Sequence, residues 1–465
     1  MKKRVIFIVV TALLCCLLVA CGSKTRLQAP QNIRQNGPFL IWDEVKNAEG
    51  YIVLADNEEY VTAEPSCNLS FLGGETVYVV KIKAVGDGEN FADSDWSEFG
   101  FNEIFKYTLL ADGSGYEVNL SVSSVELQDR KVVVPSTYEN LPVTRIADKM
   151  FYKCASLTEV VLPNTLKEIG ANAFYNCDAL ESIELPESVT AIGSGAFREC
   201  VALKKIVVSS GVECIAEEMF YECASLTEIV LSNTLKEIKR AAFAHCIALE
   251  SIELPESVTA IGSSAFSGCL SLKKIVVPDG IERIEGNMFG DCTSLTEVVL
   301  PSTLKEIRGM AFLGCIVLEN IELPESVTAI GSIAFGGCSS LKKIVVPTGV
   351  ERIEGSTFVG CSNLTEVVLP STLKEIMGMA FRKCEALKTV VLPSSLEDIG
   401  KDAFYMCPLE SVFFDGTEAE FLSVSVAEGN DSILSAAVYF YSETEPTENP
   451  QKFWRFSGGK PLPWA

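Results

Sequence analysis

A mainly β solenoid of 23-residue coils, preceded by a small β-sandwich, is the fold class this sequence predicts. Three observations carry the prediction. A 23-residue pattern recurs eleven times across residues 157–408. Phenylalanine marks each unit, from Phe151 to Phe404 in steps of 23, and a cysteine follows every one of them three positions later, from Cys154 to Cys407. Ahead of the repeats, residues 30–101 hold short apolar runs with turn signals every eight to twelve residues, the spacing of a sandwich.

Taken in order, the chain opens on Lys2, Lys3 and Arg4, followed by an apolar run to Ala20 that is interrupted by Thr11. This charge-then-apolar start reads as a secretory leader, too short for a transmembrane span. It ends in Leu18-Val19-Ala20-Cys21-Gly22, which resembles a bacterial lipobox. The resemblance implies cleavage after residue 20, lipidation at Cys21, and a lipid-anchored protein on the extracellular face of a bacterial membrane. Loss of the leader takes Lys plus Arg from 38 to 35 against 62 acidic residues, leaving about −27. That charge argues against nucleic acid and anionic membrane surfaces as partners, and it keeps a long rod soluble.

Residues 22–29 form a polar tether. In 30–101, Phe39-Leu40-Ile41-Trp42 places a tryptophan on an early strand, and Tyr51-Ile52-Val53 and Tyr78 to Ala84 supply two more strands. Early Pro30, Leu40-x-Trp42, Tyr51-x-Val53 and Tyr78-x-Val80-x-Ile82-x-Ala84 resemble a fibronectin type III domain. Such a domain implies a spacer, since fold alone supplies no ligand. Residues 102–156 contain a linker and an entry cap. Val132-Val133-Val134-Pro135, Val143, Ile146, Phe151 and Cys154 follow the repeat, with five extra residues after Pro135, as expected of a terminal unit.

One unit, residues 180–202, reads LESIELPESVTAIGSGAFRECVA. Leu180, Ile183 and Leu185 point one way while Ser182 and Glu184 alternate outward, which is a half-buried strand. Pro186 ends it, because proline has no N–H for a ladder. Val189 and Ile192 form a second apolar segment, Gly193 turns the chain, and Ala196, Phe197 and Cys200 suit a single helical or 3₁₀ turn. This leucine spacing is that of a leucine-rich-repeat solenoid, whose coils bury their apolar faces only by stacking. The units come in threes: LTEVVLP begins at Leu157, Leu295 and Leu364, LESIELP at Leu180 and Leu249, and LKKIVV at Leu203, Leu272 and Leu341. A 69-residue block is thus copied in tandem, so any surface feature recurs on every third coil. Residues 409–441 read as the C-terminal cap and 442–465 as an acidic, then aromatic, tail.

The repeats resemble BspA-like leucine-rich repeats, and the whole resembles a bacterial surface lipoprotein with a fibronectin-like domain ahead of the solenoid. The resemblance implies adhesion to host matrix protein, mucin or other glycan, or other bacterial cells. Departures occur at Ser209 and Ser232, where the strand-closing proline is missing, and at Cys214, where sister units carry Arg283 and Arg352.

Chemistry-bearing residues are sparse. The twelve repeat cysteines occupy one inward slot beside Phe and read as buried free thiols. A serine in that slot would carry a hydroxyl with no assured partner. His245, the single histidine, sits at a variable turn position. Asp87, Glu89, Asp93 and Asp95 lack the spacing of an EF-hand loop. With no phosphate loop and no nucleophile elbow, a non-enzyme without cofactor or metal is expected.

The outward strand positions remain as a candidate partner-binding face. Position 3 of the coils supplies Glu159, Lys205, Glu228, Lys274, Glu297, Lys343 and Glu366. Position 5 supplies Val161, Glu184, Val207, Val230, Glu253, Val276, Val299, Glu322, Val345, Val368 and Val391. Alternating apolar and charged stripes suit a long, shallow protein or glycan interface, although valine is also simply a good strand former. Two readings follow: a monomeric, surface-displayed binding protein, or an envelope spacer without a dedicated ligand.

Overall fold

The computed structural model describes residues 24–36, 39–55, 58–68, 79–100, 105–121, 131–457 and 460–464. The leader, Cys21 and Tyr78 lie outside the described residues. The chain divides into two compact units, residues 1–99 and 100–465.

In the first unit, Arg34–Asn36, Phe39–Ile41 and Ser66–Asn68 form a three-stranded antiparallel sheet. Gly50–Ala55 pairs antiparallel with both Glu58–Thr62 and Val79–Val85 in a four-stranded sheet that Ser97–Gly100 completes. Leu40, Trp42, Tyr51, Val53, Val80 and Ile82 are buried, with the Trp42 and Tyr51 rings edge-to-face at 5.2 Å. The acidic loop serves the fold. The Asp87 carboxylate accepts the N–H groups of Glu89, Asn90 and Phe91, and these bonds, Phe91 first, hold its pKa down at about 2. Asp93 pairs with Lys83 at 3.0 Å and Asp95 with Arg26 at 2.6 Å.

The second unit is the solenoid. Its entry is a hairpin of Phe105–Leu109 and Tyr116–Leu120, which joins Leu141–Ile146 in parallel. Each coil then has three sides. The first carries a three-residue strand such as Lys205–Val207 or Glu228–Val230, and the second a two-residue strand such as Glu237–Ile238. The third is a corner of i to i−3 turns around Phe and Cys. Its i to i−3 bonds are those of the expected helical or 3₁₀ turn, such as Cys177 N–H to the Phe174 carbonyl. Two residues per coil have positive φ, however, so the corner is a chain of tight turns and not regular helix. In one coil these are Asn172 (54°) and Asn176 (55°), in another Ile333 (61°) and Gly337 (69°). Gly193 stands at the turn without a positive φ. A Cβ there would sit 2.5 Å from the Ala171 nitrogen, so glycine permits close coil-to-coil approach.

The interior is a set of ladders. All twelve phenylalanines from Phe151 to Phe404 are fully buried, and neighbouring rings stack at 5.1–5.8 Å, as between Phe151 and Phe174 and between Phe266 and Phe289. Main-chain bonds tie this corner at every step: Phe174 N–H donates to Ala196, Phe197 to Met219, and so on to Phe381 and Ala403. The other two sides are interrupted once per block. The second-side ladder joins Cys214–Ile215, Glu237–Ile238 and Ala260–Ile261, stops, and restarts at Arg283–Ile284. The first-side ladder pairs Lys205–Val207 with Glu228–Val230 and stops before the LESIELP coil. In the two LESIELP coils Leu185 and Leu254 are half-exposed rather than inward.

Both missing prolines are replaced by hydroxyl bonding. Ser209 is buried and donates to the Val189 carbonyl at 2.9 Å, and the Ser232 hydroxyl accepts the Thr234 N–H at 3.2 Å. At the far end, Asn430 replaces the next coil. Its Oδ1 accepts the Phe404 N–H at 3.0 Å, its amide donates to Gly400 and Ala427, and Ser432 donates to the Phe404 carbonyl. Much of residues 442–465 is structured rather than a free tail. Phe453–Ser457 and Lys460–Pro463 extend the C-terminal sheet, with Trp454 fully buried and its indole N–H on the Phe414 carbonyl at 2.9 Å.

Candidate interaction face

The first-side strands present the outward positions 3 and 5 to solvent. Val207, Val230, Val276, Val299, Val345 and Val368 are 41–46% exposed, large fractions for valine. Val161 is half-buried. Glu159, Glu184, Lys205, Glu228, Glu253, Lys274, Glu297, Glu322, Lys343 and Glu366 are exposed. The parallel register places Val207 beside Val230, Val276 beside Val299 and Val345 beside Val368. One face therefore carries all the residues of the predicted interface.

Most of its charges are engaged with one another. Lys131 pairs with Glu159 at 2.6 Å, Lys205 with Glu228 at 2.5 Å, Lys274 with Glu297 at 2.7 Å and Lys343 with Glu366 at 2.6 Å. The preceding lysine of each LKKIVV coil pairs backward: Lys204 with Glu181, Lys273 with Glu250 and Lys342 with Glu319. The double lysine thus bridges both neighbouring coils, a role the sequence signals in the twinned LKK but that only stacking explains. These pairs are exposed, so each contributes at most about 1 kcal/mol.

A second surface escaped the sequence reading. On the Phe corner, Tyr152 and Tyr175 stack at 4.8 Å, and the Arg198 guanidinium lies 4.5 Å from the Tyr221 ring centre. The available signal was an aromatic or Arg recurring one position after Phe in four successive units. Arg198 is also bonded to Glu199 and Glu218, so this edge is internally satisfied.

The cysteines are unpaired and buried along the whole ladder. Each thiol from Cys177 to Cys407 donates to the carbonyl of the Phe one coil back, as Cys177 does to Phe151 at 3.1 Å and Cys269 to Phe243 at 3.2 Å. That carbonyl also accepts the N–H of the Cys in its own coil. Burial pushes the Cys246 and Cys361 thiols up to about 12, which keeps them neutral and unreactive. Cys67, on the strand Ser66–Asn68, is buried as well, whereas Cys214 is half-exposed with its thiol 3.7 Å from Glu237. His245 is an exposed left-handed turn residue (φ 60°). Among the described residues, no group of three or more His, Cys, Asp or Glu side chains is placed to hold a metal ion.

The sequence pattern of the BspA type leucine rich repeat region matches residues 144–272, 213–328, 259–378 and 305–424, more than half of the chain. The chain belongs to the BspA-type leucine-rich-repeat family. Solved structures similar to this BspA-type protein include a leucine-rich repeat protein from Bacteroides ovatus, at 29% identity and TM-score 0.48 over 70% of this chain and 90% of that one. Another is a leucine rich cell surface protein from Faecalibacterium prausnitzii, at 24% identity and TM-score 0.43 over 71% and 98%. A Treponema pallidum leucine-rich repeat protein shares 30% identity at TM-score 0.30 over 51% and 88%. No curated protein matches the chain. Among its described residues, no helix is long and apolar enough to cross a membrane.

Proposed function

We propose that this BspA-type protein is a surface-displayed binding protein whose first-side sheet holds a macromolecular partner, a host matrix protein, a mucin or other glycan, or another bacterial cell. The observation that carries this reading is the row of six valines, 41–46% exposed, on a sheet face whose lysines are tied to neighbouring glutamates. A face serving solubility alone has no need of so much exposed apolar surface. Cys21 carries the lipid and anchors the protein at the outer face of a bacterial membrane, and the first unit acts as a fibronectin-like stalk. The protein works as a monomer and catalyses no reaction.

The test is binding of the full chain to immobilised matrix proteins, mucins and bacterial cells. Saturable binding is expected, and it is abolished in the Val230→Glu/Val299→Glu variant, which places charge on exposed positions without touching the core. Absence of saturable binding to all three would favour the spacer reading. Cys21→Ser is expected to abolish detergent-phase partitioning while leaving binding intact.

A further inference from the structure

The outward row of position 5 does not end with the repeats. Parallel register carries it from half-buried Val391 to Phe413 and on to Tyr439, whose ring stacks on Phe413 at 5.2 Å. There it meets the hairpin of Phe453–Ser457 and Lys460–Pro463, and a cavity of about 560 Å³ opens between hairpin and sheet face. That volume falls in the range of small-molecule sites. Val368, Val391 and Phe413 line it from the sheet, and Phe456, Lys460 and Pro461 from the hairpin. The Phe456 ring is 54% exposed, yet it is held in place. It lies edge-to-face with Trp454 at 4.7 Å, and Trp454 is itself buried with its indole N–H on the Phe414 carbonyl. A fixed aromatic ring left open beside a row of apolar side chains is a prepared contact surface.

Polar groups share the cavity. Half-buried Asp415 and exposed Lys460 both line it, and among the described residues neither side chain has an ion pair or hydrogen bond. Elsewhere on the face lysines are tied to glutamates, and Glu366 at this cavity is held by Lys343 at 2.6 Å. A purely apolar occupant would strip water from Asp415 and Lys460 without replacing it. The occupant therefore needs an apolar surface for Phe456 and the valines together with hydrogen-bond donors and acceptors. A sugar ring has that composition: its C–H faces pack on an aromatic ring, and its hydroxyls donate to a carboxylate and accept from an ammonium group. Ser371 and Thr389 add two hydroxyls to the lining. A peptide backbone finds no ladder to join. The strands Thr389–Pro393 and Ser411–Asp415 are already paired with each other, and the outermost strand carries Pro461 and Pro463, which have no N–H. The charges also cancel, Lys460 against Asp415 and Lys343 against Glu366, on a chain that stands at −24. A sulfated or sialylated glycan gains no attraction from such a site. We infer that this cavity binds a short neutral saccharide, the end of a glycan chain. The inference rests on the binding face proposed above and names the ligand of its C-terminal end.

The test titrates the full chain, by ligand-observed NMR, with neutral oligosaccharides of glucose, galactose, mannose and N-acetylglucosamine, and with sialyllactose and a heparin tetrasaccharide. At least one neutral saccharide is expected to bind saturably, one per chain, with a Kd of about 1 mM or tighter. Phe456→Ala and Asp415→Asn should each weaken it at least about tenfold without moving the thermal midpoint, since neither side chain is core. Phe456→Trp, which keeps an aromatic ring, should bind as the parent does. No saturable binding of any neutral saccharide, tighter binding of either anionic one, or binding that Phe456→Ala leaves unchanged overturns the inference. Phe456-dependent binding of an unglycosylated collagen peptide, with no saccharide bound, overturns it too and gives the cavity to protein ligands. Val230→Glu/Val299→Glu, three coils or more from Val368, should leave saccharide binding intact. Matrix or cell binding that is lost in that variant, while no saccharide binds, leaves the binding face standing and rejects the saccharide alone.

Discussion

The thiol of each repeat cysteine has a designated acceptor, and that changes what its replacement should cost. Cys269 donates to the Phe243 carbonyl at 3.2 Å, so a serine in its place finds a partner already aimed at it. Cys269→Ser should therefore cost about 1 kcal/mol in urea unfolding, and a loss of about 3 kcal/mol would show an unsatisfied hydroxyl. Cys269→Ala leaves no orphan, because Phe243 still accepts the Cys246 N–H, and its cost is the small void. Backbone strain offers the opposite opportunity. Ile333 is β-branched yet sits at φ 61°, where two sister coils carry Asn172 and Asn287. The left-handed conformation costs such a residue roughly 1–2 kcal/mol, so Ile333→Asn should stabilise the protein by about 1 kcal/mol. A lower unfolding midpoint for that variant would show that the packing of the isoleucine outweighs the strain.

Among the elements, the Phe–Cys corner is the uninterrupted spine, while the other two ladders open once per block. Its thiols also make stability depend on pH. Burial raises their folded pKa, to about 12 for Cys246 and Cys361, above an unfolded value near 8.5. The folded state holds the proton more tightly, so this contribution is complete below about pH 8.5 and lost as pH rises toward 12. Each such thiol loses about 1.4 kcal/mol per pH unit inside that window. Urea midpoints measured from pH 8 to 11 should fall, and fall less steeply in Cys246→Ala/Cys361→Ala. Identical slopes in the two proteins would show that these thiols do not govern the alkaline limb.

Along the full solenoid, the unit of construction is the 69-residue block, since both the ion-pair pattern and the ladder interruptions repeat at that interval. Deleting residues 226–294 joins Ser225 to Leu295, where an LKKIVV coil again meets an LTEVVL coil. Such a chain should remain folded and monomeric, because contacts run between neighbouring coils. Deleting only residues 226–285 breaks the register of Phe and Leu and should yield an aggregating chain. Equal tolerance of both deletions in size-exclusion chromatography would contradict a stacked solenoid.

Periodicity in the chain is enough to establish the solenoid, its 23-residue coil, the buried Phe and Cys slots and the outward face. In a stacked repeat a periodic side chain has the same environment in every coil, so a pattern in one dimension carries over to three. The 69-residue block is legible for the same reason, because LTE, LES and LKK alternate visibly. What depends on which coil lies against which is decided by stacking. The double lysines proved to be bridges between coils, which left Glu184, Glu253 and Glu322 as the unpaired carboxylates of the face. The same holds for the thiols, whose acceptors belong to the preceding coil, and for Asn430, whose amide imitates a coil that is not there. Residues 453–463 gave no repeat signal, since an end cap is built once; only its packing shows Trp454 as core. Two left-handed residues per coil were faintly legible in the Asn and Gly of their positions, and were hidden wherever Ile333, Met310 or Lys383 stands there, because the closed corner imposes that conformation against the residue's own preference.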